Sequence, residues 1–197
     1  MKGWSLHVRK KIPPNDTEVN GEFRAARTAL EFFGRTFSVE GMKNDVLPVE
    51  IRGVLPANTG CAIFVGNTRK VFVIQVEHNM GAIIRMFLKG AIKERPLTHD
   101  LINHIFKGLN VTIERVIITE LKNSTYYARL ILKQENELGC KIVEIDARPS
   151  DCLALATAQK RPIYVAASLF EQVDDMSEYL ERISEDSGEP GESEDTE

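Results

Sequence analysis

Hydrophobic and polar positions follow clear periods from about residue 46 onward and no steady period before residue 20. Segments 46–55, 60–66 and 70–76 are rich in β-branched residues and predict three strands. The break at Gly66-Asn67-Thr68 turns the second of them into the third as a hairpin. A helix is expected over about 80–89, with Ile83, Ile84, Phe87 and Leu88 on one face and Arg85 and Lys89 opposite. A second helix begins after Pro96, with Thr98 as its N-cap and Leu101, Ile102, Ile105, Phe106 and Leu109 as its apolar face.

The order then recurs. Segments 111–121, 125–133 and 140–146 read as strands, followed by a helix over about 150–160 and a short strand at 162–165. Ser168 with Glu171, and Asp175 with Glu178, mark the starts of two closing helices. Val71-Phe72-Val73-Ile74-Gln75-Val76-Glu77 and Cys140-Lys141-Ile142-Val143-Glu144-Ile145-Asp146 match in residue type, each ending in a carboxylate just ahead of a helix. The expected fold is α+β: a duplicated three-strand-plus-helices unit forming one mixed or barrel-like sheet with helices packed on it.

The flanks differ from this body. Residues 1–45 read as an N-terminal arm, flexible through its first twenty positions, with a short amphipathic helix near 22–33 carrying Phe23, Ala26, Leu30 and Phe33. Residues 46–183 form the main domain, and 184–197 are expected to be a disordered acidic tail with seven acids and no Lys or Arg. The net charge of −4 therefore hides a remainder, residues 1–183, with 25 basic and 22 acidic residues and a charge of +3. Such a balance is compatible with a polyanionic ligand and does not demand one.

Hydrophobic content of 43% is enough for a real core. No apolar run approaches the roughly 18 residues that span a bilayer, and the first residues lack the apolar stretch of a secretory signal. Cys61, Cys140 and Cys152 form no CxxC pair and sit in apolar segments, which predicts buried free thiols in a reducing compartment. A cytoplasmic protein with no membrane partner is the expectation. A homo-oligomer is left open.

Two runs gather polar residues where a helix begins: Glu94-Arg95-Pro96-Leu97-Thr98-His99-Asp100 and Glu144-Ile145-Asp146-Ala147-Arg148-Pro149-Ser150-Asp151. Each sets Arg-Pro before a helix and an Asp in its first turn. Proline there gives up an N–H that the helix leaves unpaired, and the remaining N–H groups make an anion site beside an arginine fork. Capping explains the same residues structurally, because a first-turn Asp favours the macrodipole and Thr98 or Ser150 closes the backbone. Asp100 and His104 stand one turn apart and suit either an ion ligand pair or a solvated hydrogen bond. Of Tyr126-Tyr127 one ring at most is free to stack on a base. There is no zinc pattern, Walker loop, GxSxG elbow or dinucleotide fingerprint.

These two runs, together with Tyr127-Ala128-Arg129-Leu130 and Pro162-Ile163-Tyr164-Val165, resemble the bifunctional nuclease family in order and spacing over about residues 46–183. The resemblance implies an α+β domain of duplicated units that cleaves both DNA and RNA. On it rests the expected function, hydrolysis of phosphodiester bonds assisted by a divalent metal, Mg²⁺ or Mn²⁺. Asp146 and Asp151 would hold the ion and form the catalytic set with His99 and Asp100, while Arg95, Arg129 and Arg148 would bind substrate phosphate. The rival reading is a non-catalytic module binding nucleic acid or a protein. Two departures stand out: Met80-Gly81 where many members carry an acid, and Cys152 where a small alanine is common.

Overall fold

The computed structural model describes residues 7–10, 46–137 and 139–186. Its elements are β1 (His7–Lys10), β2 (Val46–Ala57), β3 (Gly60–Gly66), β4 (Val71–Val76), α1 (His78–Leu88), α2 (Thr98–Gly108), β5 (Val111–Lys122), β6 (Thr125–Asn136), β7 (Gly139–Ala147), α3 (Pro149–Gln159), β8 (Ile163–Ala166), α4 (Ala167–Gln172) and α5 (Ser177–Asp186). The strands form one mixed sheet in the order β1-β7-β6-β5-β8-β2-β3-β4, not closed into a barrel. All neighbours are antiparallel except β5 and β8.

The expected repetition appears as two antiparallel meanders, β2-β3-β4 and β5-β6-β7, each followed after one residue by an eleven-residue helix. Strand β8 slots between them and joins the halves into one sheet. Local chemistry makes each turn. Asn123 and Ser124 both take positive φ (49° and 60°), the backbone of a two-residue hairpin whose twist matches its strands. Asn67 accepts the Arg69 amide through its side chain at 2.9 Å and closes the β3–β4 turn.

The core lies between sheet and helices. In α3 five successive residues, Cys152 to Ala156, are buried, so the middle of this helix is apolar and packed on every side. Helix α1 buries Met80, Gly81 and Ile84. A Cβ at Gly81 would stand 2.4 Å from Cys61 Sγ, so only glycine lets α1 lie this close to β3. Burial pushes the Cys152 thiol up to about 12, with Asp151 and Asp146 adding to the shift, which leaves it unreactive as a nucleophile. Cys61 is likewise buried and Cys140 partly so, all three thiols being free.

Several expectations change. His7–Lys10, placed by the sequence in a flexible arm, pairs with β7 as an edge strand. Helix α5 continues to Asp186, past the expected end of the domain at 183. The helix proposed near 22–33 and the tail from 187 lie outside the described residues. In α2 the apolar face divides: Ile102 and Phe106 pack against the core, while Leu101, Ile105 and Leu109 are exposed. The reason is that α2 turns toward α3 on the side of His99 and Asn103, where Gln159 donates to Asn103 Oδ1 at 2.9 Å. No described helix is long and apolar enough to cross a membrane.

Candidate active site

Strand β7 delivers the chain to α3 through Arg148, whose extended backbone (φ −65°, ψ 142°) fits the residue before a proline. Pro149 occupies the first helical position, and Asp151 completes the first turn, where an anion suits the positive end of the macrodipole. Three residues on, the geometry lets Arg148 fold back. Its Nε donates to Asp151 Oδ2 at 2.8 Å, and its NH2 reaches Oδ1 at 3.4 Å. The guanidinium is held above its ordinary range by the bond to Asp151 first and by the charge of that carboxylate next.

From the other side His99 Nε2 meets Asp151 Oδ1 at 3.3 Å. A carboxylate only accepts, so the ring nitrogen facing it is the donor. His99 is 6% exposed, and its Nδ1 is buried with no hydrogen-bond partner. The His99 ring also forms a T-shaped pair with Phe87, centroids 6.3 Å apart. His99 is thus a wedge between α1 and α3 that holds Asp151, whereas the Arg148 side chain is 65% exposed and keeps N–H groups for a ligand.

The other candidates from the sequence stand apart from this contact. Asp100 binds Lys93 Nζ at 2.6 Å and accepts the Leu97 amide at 2.8 Å, so it, and not Thr98, caps α2. Burial works against its charge, but Lys93 and the Leu97 amide outweigh burial and lower its pKa. Arg129 is ion-paired to Glu144 on the neighbouring strand. Asp146 sits opposite Arg129 in the β6–β7 register, and strand alternation places it on the face away from Ile145 and Ala147, which pack on the core. Arg95 is exposed in the turn before α2, without an ion pair among the described residues. His104 is exposed too, Tyr126 packs on Phe72, and Tyr127 faces outward.

Asp151 is the single carboxylate in the contact, and both its oxygens already accept hydrogen bonds from Arg148 and His99. Among the described residues no three His, Cys, Asp or Glu side chains converge. This donor set does not fit a resident divalent cation, which needs several oxygen ligands from the protein or its substrate.

Sequence reasoning passed over Glu77 as a site residue. It precedes α1 as Arg148 precedes α3, and its charge reaches Arg148. The matched strand ends were the signal, but counting from the helices pairs Glu77 with Arg148, not with Asp146.

The second meander-and-helix unit thus sets an arginine and a carboxylate at the start of α3, with a buried histidine from α2 against them. The bifunctional nuclease domain model matches residues 63–177, and the chain belongs to that family. Two uncharacterized proteins of Mycobacterium tuberculosis, from two strains, are each 32% identical to it over 106 residues. That stretch is 54% of this chain and 60% of each relative, so the match spans about three-fifths of their length.

Proposed function

We propose that the chain hydrolyses phosphodiester bonds of DNA and RNA, with Asp151 as the base and Arg148 as the phosphate clamp. The observation that carries this reading is the shared grip of Arg148 and His99 on one partly exposed carboxylate at a helix start. The free N–H groups of Arg148 take a non-bridging phosphate oxygen and offset the charge that grows on it during attack. Water attacks phosphorus, its proton passes to Asp151, and a phosphorus–oxygen ester bond breaks. The leaving oxygen takes its proton from solvent. His99 is a positioning residue: it fixes the carboxylate and does not touch the phosphate.

No step is routed through a metal, since the residues present do not assemble a site for one. Mg²⁺, Mn²⁺ and chelator are instead arms of the test. Purified protein and Asp151→Asn are incubated with labelled single- and double-stranded DNA and RNA under each condition. Removing a general base is expected to slow cleavage by about 10²-fold or more, while the folded protein keeps its melting temperature within a few degrees. Cleavage at wild-type rate by folded Asp151→Asn removes Asp151 from the mechanism. Binding without any cleavage by the wild type turns the domain into a non-catalytic nucleic-acid module.

A further inference from the structure

A groove of about 740 Å³ opens between the first half of β2, the β3–β4 turn, the end of α1 and the end of α3. Its walls are largely apolar, with Val49, Phe87, Pro162 and Ile163 among them. Three exposed cations, Arg52, Lys160 and Arg161, line it against one acid, Glu50. Among the described residues none of these three cations has a side-chain hydrogen bond or an ion pair. Other cations, Arg95 and Lys107 among them, also lack an ion pair among the described residues; what sets these three apart is that they gather around an apolar floor with one acid.

Two of the cations owe their position to irregular backbone. Arg52 is the extra residue of a bulge, since Ile51 pairs with Val65 and Gly53 with Phe64, leaving Arg52 without a partner on β3. Bulges re-aim a side chain at some cost to the ladder. Lys160 ends α3 in the left-handed conformation, φ 51° and ψ 47°, where glycine is the usual residue. The chain thus accepts a disrupted ladder and a strained lysine, and in both places the result is a cation on the groove.

We propose that this groove docks a single-stranded nucleic acid, with Arg52, Lys160 and Arg161 on its phosphates and base faces on the apolar floor. The pairing of a positive track with a base-stacking surface is how strands are held without sequence preference. Phe87 both lines the groove and packs against His99, so the docked strand lies one side chain from the Asp151 contact. The identity of the ligand rests on the hydrolysis reading, but docking itself requires no cleavage.

The test is fluorescence anisotropy with end-labelled single-stranded DNA and RNA oligonucleotides in chelator, across a salt series. Four proteins are compared with the wild type: Asp151→Asn, the triple Arg52→Glu/Lys160→Glu/Arg161→Glu, a charge-matched control Lys89→Glu/Lys107→Glu/Lys141→Glu, and Lys160→Gly. The groove triple is expected to lose at least tenfold in affinity at low salt. Its log–log salt slope should be smaller by about two, the counterion release of three contacts on a single strand. Asp151→Asn should bind at least as tightly as the wild type, because the carboxylate that pairs with Arg148 is gone, and the control should lose far less than the groove triple. Lys160→Gly relieves the left-handed strain, so it should melt higher while binding more weakly, a combination that misfolding does not produce. Equal loss in the control and the groove triple, unchanged binding by the triple, or no binding by the wild type overturns the proposal. Cleavage that persists while the triple binds normally sinks the groove alone; groove-dependent binding with no cleavage sinks the hydrolysis reading alone.

Discussion

The starts of α1 and α3 occupy matching places in the two halves and are built from opposite chemistry. Each helix is eleven residues long and follows the third strand of a meander after one extended residue. In the first half that residue is Glu77 and the third helical residue is Met80, 7% exposed and packed into the core, with no acid in the first turn. In the second half they are Arg148 and Asp151, paired to each other and open to solvent on the arginine side. A third start, that of α2, also has an acid at its third position, but Asp100 is spent on Lys93 and the Leu97 amide. One backbone geometry therefore serves packing, capping and, on the proposed function, chemistry, and the partner of the third residue decides which.

The sharpest way to break this comparison is Met80→Asp, which writes the second half's acid into the first. Met80 sits in the hydrophobic core cluster, and a buried charge without a partner costs about 3 kcal/mol or more. Denaturant titration should show a lowered midpoint with an unchanged slope. A loss under about 1 kcal/mol would mean that the first half can host a carboxylate as the second does, and that packing does not separate the two starts.

Asp100→Asn comes next and tests the assignment of Asp100 to structure. The asparagine keeps an oxygen for the Leu97 amide but loses the charge that Lys93 and the macrodipole favour, at a cost of about 1 kcal/mol. Because the folded-state pKa of Asp100 is lowered, its charge stabilises the fold above the unfolded value of about 4 and ceases to do so as pH falls through the folded value. The melting gap between wild type and Asp100→Asn should be full near neutrality and narrow below about pH 4. Cleavage should be retained. A gap that stays constant down to pH 2, or loss of cleavage in folded protein, would move Asp100 out of the capping role and toward the reaction.

What could be read from the sequence follows the range of the forces involved. The meanders, the Gly66-Asn67 turn and the helix at 150–160 are local, and period and turn residues expose them. The Arg148–Asp151 contact was legible for the same reason, since its partners are three residues apart. Its third member was not, because His99 and Asp151 are 52 residues apart and meet only when α2 lies against α3. The insertion of β8 between β5 and β2 is equally non-local. The same packing decided which side of α2 is buried: five apolar residues fit one stripe, and contact with α3 chose Ile102 and Phe106. Arg52 and Lys160 escaped notice because a bulge and a left-handed cap have no fixed sequence sign when the residues are not glycine.

The smallest expected effect sharpens the comparison at the residue before each helix. Glu77 makes no capping hydrogen bond with its side chain, so Glu77→Gln should leave the melting temperature within a degree or so. Its charge is felt by Arg148 after the larger influence of Asp151, and that attraction competes with phosphate for the same guanidinium. In an Asp151→Asn background, where no cleavage intervenes, Glu77→Gln should bind a labelled strand tighter by roughly two- to threefold at low salt, the range of a partly screened surface charge. The gain should vanish near 1 M salt, where the screening length falls to about 3 Å. Unchanged affinity at low salt would show that Glu77 does not share the ligand's side of Arg148. The two helix starts would then be alike in geometry and separate in electrostatics, with Arg148 open to phosphate unhindered by the first half.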